Sequence, residues 1–590
     1  MFLNVKTFGA VAGAAFALGL GFAGEAWAGP GTVVIPTAPE LGLSVRLGGQ
    51  VRMIPTLESN WDLGLSERTP IRGMGSHVNE AGIVGRDYVR TEDRLYFNVS
   101  KGDDWDFFMA LEFDSVLTQR RTDRISNQEK GLFDDFGVER LQASVKLPWI
   151  SSRLHAGWDT APSADMDGGG LLYVDDDPGL WLTGKAGPLA WKAAYVLKNE
   201  SQFVYADRTT SVSGPCPPVI NVPPGGGSVP TGCAQLLPIG DFDANFGERR
   251  VGVARLDFTP VEGLTLSGLY AVNHARVRGQ PPATGINALT SVTHYPGLLI
   301  TGNLGGFKPI LEVAGSLGSV RYPGTAANIP DYLGKPINGR TFRVQSFAAF
   351  ADLAYDASAA VGFKFEPHVG AYYLKGDGNP GDDILGGYTP VVGMPRFTQR
   401  FSGEGMIVAD GNIAYGSPLY SAFPELWGNQ SNLMSNGGGL FSNSRSDSPG
   451  LTMIGGGVDT EPLKGTLRFR TNAYALIYNE RFLVGALSEP NNASSVGLTA
   501  RDFGIKRLVD EHLFGVEWDN ELTYMFNSAV SARLQFSFLF TGAAAEQIAG
   551  ALSDRGSGEP VEVAGVSFER AQRSEADSMR RIAVELLWNF

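Results

Sequence analysis

The sequence predicts an all-β protein, a transmembrane antiparallel β-barrel of about 18 strands. Three observations lead there. Apolar and polar residues alternate with a period of two in one segment after another. The connections between those segments alternate between very short and very long. The chain also opens with the parts of a secretory leader.

The leader comes first. Lys6 supplies a positive charge, an apolar stretch runs from Phe8 to Phe22, and Ala26-Trp27-Ala28 offers small residues at both key positions. This pattern predicts a signal peptide over 1–28 and a mature barrel over 29–590. No later apolar run reaches the roughly 20 residues of a spanning helix. The net charge of −14, from 48 basic and 62 acidic residues, argues against nucleic acid as a partner. Cys216 and Cys233 bracket a Pro- and Gly-rich stretch and are expected to form a disulfide in an exported chain. No neighbouring His or second Cys pair suggests a metal, and no haem-attachment motif occurs, so no cofactor is expected.

The strands follow in order. Ser44, Arg46, Gln50 and Arg52 share one face of the first. Leu95, Phe97 and Val99 face away from Arg94, Tyr96 and Asn98; Phe107, Met109, Leu111 and Phe113 oppose Asp106, Glu112 and Asp114. Leu141, Val145 and Leu147 oppose Arg140, Gln142, Ser144 and Lys146. Late in the chain Phe514, Val516, Trp518, Leu522 and Tyr524 oppose Glu517, Asp519, Glu521 and Thr523. Leu534, Phe536, Phe538 and Phe540 then oppose Arg533, Gln535 and Ser537. A sandwich also alternates, but charge recurring on the second face from strand to strand suits a water-filled lumen. Short turns are expected at 101–104, 148–151, 186–188, 260–263, 303–306, 356–359, 462–465 and 527–528. Long loops are expected near 64–90, 117–136, 161–178, 200–247, 276–293, 319–342, 377–450, 480–510 and 543–573. Short turns on one side, expected to be periplasmic, and long loops on the other, expected to be extracellular, describe a transmembrane barrel; one hairpin missed or added gives about 16 or 20 strands. Trp105, Trp149, Trp181, Trp191 and Trp588 are expected in interfacial girdles. Hydrocarbon satisfies no backbone group, so the last strand must pair with the first, near 43–53.

The final segment alternates Ile582, Val584, Leu586, Trp588 and Phe590 with Arg581, Ala583, Glu585, Leu587 and Asn589. A terminal Phe on such a strand resembles the C-terminal signature of bacterial outer-membrane β-barrels. Leader, alternation and turn–loop asymmetry together resemble the outer-membrane porins. The strand number is similar to that of substrate-specific porins, maltoporin-like proteins and alginate-export channels, and no motif selects among them. The chain before Leu43 is too short for the plug of a TonB-dependent transporter. The resemblance implies a cell outer-membrane location, lipid and small solutes as partners, and the barrel-assembly machinery acting through the C-terminal strand. It leaves association of several protomers open.

The lumen faces are expected to carry Arg46, Arg52, Arg94, Arg140, Arg153, Arg468, Arg470, Arg533 and Arg581, and closure is expected to gather Arg533, Arg581, Arg46, Arg52 and Arg94 along one wall. Guanidiniums confined in a lumen can hold carboxylates or phosphates bidentately. The competing expectation is that Glu112, Asp114, Glu517, Asp519, Glu521 and Glu585 neutralise them and merely hold a polar interior together. Two loops are candidates for a constriction. The third carries Asp165, Asp167 and the run Asp175, Asp176, Asp177; the seventh, over 377–450, carries Arg396 and Arg400 and is a candidate to fold into the lumen. Gly376 to Gly381 matches GxGxxG, but a Pro-containing loop with no following helix makes a poor dinucleotide site. With Asp382 and Asp383 that stretch is at best a weak calcium site. The six histidines are scattered and give no nucleophile–base grouping, so no enzyme is expected. The function expected is diffusion of small polar, anionic solutes. Export of an acidic polysaccharide, or a sleeve holding a partner such as an electron-transfer cytochrome, is the alternative.

Overall fold

The computed structural model describes residues 33–35, 42–60, 88–116, 122–123, 128–129, 136–148, 151–175, 177–200, 247–277, 290–321, 339–391, 407, 449–485, 506–553 and 555–590. The leader, Cys216, Cys233, Asp176, Arg396 and Arg400 lie outside the described residues. Twenty strands share one hydrogen-bonded sheet. Val33–Ile35 and Ile384–Leu385 only edge onto it, and the other eighteen close on themselves. In chain order these are β1 (Ser44–Ser59), β2 (Tyr88–Lys101), β3 (Trp105–Val116), β4 (Phe136–Leu147), β5 (Ser152–Asp159) and β6 (Asp177–Ala186). Next come β7 (Leu189–Glu200), β8 (Gly247–Val261), β9 (Leu264–Val277), β10 (Thr290–Gly302), β11 (Phe307–Arg321) and β12 (Thr341–Tyr355). The last are β13 (Lys364–Leu374), β14 (Leu451–Leu463), β15 (Leu467–Tyr478), β16 (Leu513–Met525), β17 (Val530–Thr541) and β18 (Met579–Asn589).

Each strand pairs antiparallel with its sequence neighbours, and β18 closes on β1 with Gln50 opposite Asn589 and Ser59 opposite Arg580. Closure therefore uses Gln50–Ser59 rather than the start of β1, whose lower end pairs instead with Val33–Ile35. Phe590 finishes the seam: Gly49 N–H donates to its carbonyl at 2.8 Å and its own N–H donates back to Gly49 at 3.0 Å. The Phe590 ring lies across Gly49 so closely that a Cβ there would stand 2.4 Å from Cζ. Glycine at 49 is what lets the terminal aromatic cover the seam.

The alternation decides which face meets lipid. Leu95, Leu256, Leu298, Val313, Val369 and Ile454 all point outward, and Leu298 keeps 62% of its surface. A continuous jacket of this kind is unfavourable in water and is stable in hydrocarbon, where closure also leaves no strand edge unpaired. The chain is thus an outer-membrane-type barrel that crosses the bilayer with strands. The turns at one end are short, including a single helical turn at Ser358–Val361.

Two expectations fail here. Trp181 faces the lumen, not the girdle: it is buried and stacked on His155 with ring centroids 5.3 Å apart. Odd positions of β6 point inward because Leu180 faces lipid. The stretches 480–510 and 543–573, read as loops, carry a small cap. Its four strands are Phe482–Gly485, Lys506–Val509, Gly556–Val563 and Val566–Ala571. Helix α1 (Ala543–Leu552) packs on it through Ala544, Ala545, Ile548 and Ala549. Two of the cap's strands, Phe482–Gly485 and Lys506–Val509, have only four residues each, too few for a period of two to stand out.

Candidate functional site

Two loops fold into the barrel from the long-loop end. In the third, the Asp165 carboxylate accepts the N–H groups of Leu172 (2.7 Å) and Tyr173 (3.1 Å), which folds 163–173 back on itself. Complete burial pushes the Asp165 carboxyl up from its ordinary range. The loop is then fastened to the wall. Arg255 of β8 grips Asp167 bidentately at 2.5 and 2.8 Å. Burial opposes ionisation of Asp167, yet that pair holds its carboxyl below the usual value. Lys192 of β7 donates to the carbonyls of Ala161 and Ser163, and Lys198 to Asp175 and Asp177. Gly169 donates to Glu312 of β11 at 2.5 Å, and a Cβ at 169 would meet the Phe350 side chain at 2.6 Å.

The seventh loop lies against the third. Tyr388 donates its hydroxyl to Leu171 O at 2.6 Å, and Val391 N–H donates to Leu172 O at 2.9 Å. Ser346 of β12 holds Gly386 O at 2.6 Å, and Arg249 of β8 donates to Val391 O. Asp377 accepts the N–H groups of Asn379 and Gly386, and burial pushes its carboxyl up to about 6. Farther along, Ile407 is fully buried and donates its N–H to Glu517 of β16 at 2.5 Å. The described parts of this loop thus touch β8 and β12 on one wall and β16 on another. The stretch considered for dinucleotide or calcium binding is a turn whose acids serve elsewhere: Asp382 accepts Ile384 N–H, and Asp383 pairs with Arg340.

The remaining wall carries a chain of ion pairs. It starts at Lys364 of β13, which pairs with Asp459 of β14 at 3.0 Å; Arg468 of β15 grips the same carboxylate. Arg470, on the same face as Arg468, meets Glu521 of β16 at 3.5 Å, and Arg533 of β17 bridges Glu521 (3.6 Å) and Glu585 (3.1 Å). Glu585 of β18 also holds Arg52 of β1 at 3.2 Å. Arg52 reaches Glu92 of β2 at 2.5 Å, and Arg94 joins Glu92, Glu112 and Glu139 at 2.8, 2.6 and 2.8 Å. Glu139 ends the chain on Arg140 at 3.5 Å. Ten consecutive strands, β13 through β18 and β1 through β4, are linked.

All nine arginines expected to line the pore point inward. Arg52, Arg94, Arg140, Arg468, Arg470 and Arg533 belong to the chain of pairs. Arg153 sits nearer the turn end with Asp103 (2.9 Å) and Asp106 (3.6 Å), beside Lys146 on Asp103. Arg581 is buried on the inner face, opposite Ser537 and Glu58 in register. Arg46 is exposed on that face, with no ion-pair partner among the described residues. Of the described acids of the third loop, Asp165, Asp167, Asp175 and Asp177 all hold groups of the loop or the wall, and Asp167 also stays half exposed. Sequence reasoning missed Glu92, Glu139 and Asp459 on the wall, and Lys192, Lys198, Arg249, Arg255 and Glu312 behind the loops. Glu139 was hidden because it is itself the bulged residue of β4, unpaired opposite the Ala110–Leu111 step of β3, which breaks strict alternation on β4.

No family model matches the chain, and no curated protein matches its sequence. Among solved structures it is similar to OccK5 (OpdH) of Pseudomonas aeruginosa, at 11% identity over 92% of this chain and 98% of that one, with a TM-score of 0.39. It is also similar to OccK10 (OpdN) of Pseudomonas aeruginosa, at 11% identity over 92% and 98%, with a TM-score of 0.41. A third is OmpT of Vibrio cholerae, at 8% identity over 95% and 100%, with a TM-score of 0.33.

Proposed function

We propose that the chain is a diffusion channel for small polar solutes and that its path runs along the ion-paired wall, past the two in-folded loops, with a preference for anions. The observation that carries this reading is the wall itself. Lys364, Arg468, Arg470, Arg533, Arg52, Arg94 and Arg140, seven cations, interleave with Asp459, Glu521, Glu585, Glu92, Glu112 and Glu139, six carboxylates. A chain that begins and ends on a cation leaves positive ends. Arg140 keeps 36% of its side chain open to water and holds only a long contact to Glu139, and Arg46 adds an exposed guanidinium nearby. A solute carboxylate can take the bidentate place that no protein carboxylate fills. The two loops occupy the space in which a sleeve would have to hold a partner protein, which favours the channel over that reading.

Planar-bilayer recording tests it. A defined conductance is expected, with a reversal potential across a potassium chloride gradient that indicates anion preference. R46Q/R140Q is expected to reduce that preference. Cation selectivity in the unaltered protein, or a reversal potential that R46Q/R140Q leaves unmoved, rejects the anion path; absence of conductance rejects the channel.

A further inference from the structure

The outer face of β8–β12 carries charge where a lipid-facing wall should carry none. Leu311, Val313, Leu317, Phe347 and Leu353 point outward, so Arg321 and Arg343, of matching parity on β11 and β12, point outward too. Both lie at the long-loop ends of their strands and both are exposed; the Arg343 backbone N–H donates to Asp383 O at 2.8 Å, but neither guanidinium has a hydrogen bond or ion pair among the described residues. They are also neighbours. Arg321 stands opposite Thr341 and Arg343 opposite Ser319, a diagonal offset of two. Such diagonals separate Cα atoms by about 7–8 Å, within which two arginine side chains can converge on one group. Adjacent like charges across strands are unfavourable without an anion between them. No carboxylate stands among the described outward side chains of β8–β12 to supply one.

What lies below fixes the kind of anion. Leu317 and Phe347 sit four residues farther down the same two strands and face the same way. At about 3.4 Å per residue and a tilt near 45°, the guanidiniums stand roughly 9 Å above them along the membrane normal. A ligand with a phosphate at one level and acyl chains directly beneath fits both features. We propose that Arg321 and Arg343 form a binding site for a phosphate group of the phosphorylated glycolipid that makes up the outer leaflet, with its acyl chains lying on Leu317 and Phe347. Two forked guanidiniums on one phosphate give directed, charge-assisted hydrogen bonds that a diffuse basic surface does not.

Native mass spectrometry of the purified barrel in detergent tests this. The protein is titrated with bis-phosphorylated, hexa-acylated lipid A and with the same lipid stripped of both phosphates. The unaltered protein is expected to bind the phosphorylated form at least about tenfold more tightly. R321Q/R343Q is expected to lose that preference while still migrating as a folded, heat-modifiable barrel. If the double variant does not fold, R321Q alone is read in the same way. Equal affinity for the two lipids, or a preference that survives the substitutions, overturns the site. Competition by inorganic phosphate at the lipid's own concentration shows an anion site without acyl contacts and also overturns it. Dimers that depend on the two arginines assign this face to a second copy of the chain instead.

Discussion

Glu585 is the side chain on which seam and wall depend together. It sits on β18, is 2% exposed, and joins Arg533 of β17 to Arg52 of β1 across the line where the barrel closes. Glu585→Gln keeps the shape and removes the charge. Stripping one partner from a buried pair costs about 3–5 kcal/mol. Here each arginine retains a second carboxylate, Glu92 at 2.5 Å for Arg52 and Glu521 at 3.6 Å for Arg533. The loss is therefore nearer the strength of one charged hydrogen bond, about 2–3 kcal/mol. Urea unfolding of the barrel in detergent, followed by tryptophan fluorescence and by heat-modifiable migration, reads it directly. The same substitution releases positive charge into the lumen, so the reversal potential should move further toward anions. A variant as stable as the parent and with unaltered selectivity would refute both the bridging role and the assignment of this wall to the conducting path.

Other consequences test the loops and the seam. Asp167→Asn breaks the bidentate hold of Arg255; because Asp167 is 49% exposed, the loss should be only about 1 kcal/mol, seen as noisier single-channel current. Tyr388→Phe removes the hydrogen bond to Leu171 O and about 1 kcal/mol of the contact between the two loops, so a larger mean conductance is expected. Asp377 has its folded value raised to about 6, so the fold favours the protonated form. Its contribution to anchoring is full below about pH 4 and is lost as pH rises through about 6. Protease nicking within 376–391 should accordingly be faster at pH 8 than at pH 5. Gly49→Ala forces the Phe590 ring off the seam and should slow acquisition of the heat-modifiable form.

The barrel was legible because its physics is repetitive. Leu95-Tyr96-Phe97-Asn98 on β2 and Arg533 to Phe540 on β17 each state inside and outside without reference to any other strand. Turn length then orients every hairpin, and closure follows from the cost of an open edge in hydrocarbon. The inward arginines were legible for the same reason. Their partners were not, since pairing depends on the register between strands. Arg94 meets Glu139 only because of the bulge on β4, and Arg52 meets Glu585 only because β18 aligns with the upper part of β1. The loops illustrate the opposite case. Their acids were visible as a run of charge, but the groups that fasten them, Lys192, Lys198 and Arg255, lie on strands whose inward faces had to be placed first.

This division bears on how the lumen works. An arginine ladder read from sequence alone suggests a strong positive field. In the folded wall, most of that charge is answered by Glu and Asp side chains within 4 Å, so the field falls off across the lumen and survives where the chain of pairs ends or stretches. Arg140, Arg46 and the long Arg470–Glu521 contact at 3.5 Å are those places. On the proposed reading of the wall as the conducting path, selectivity is set by a few imperfectly neutralised guanidiniums rather than by the number of arginines. Neutralising a well-paired arginine such as Arg94 should therefore change stability more than selectivity, because it strands Glu92, Glu112 and Glu139 together. Neutralising Arg46 should do the reverse. A pair of substitutions on one wall that separates the two properties in this way distinguishes a structural salt-bridge network from a conducting surface.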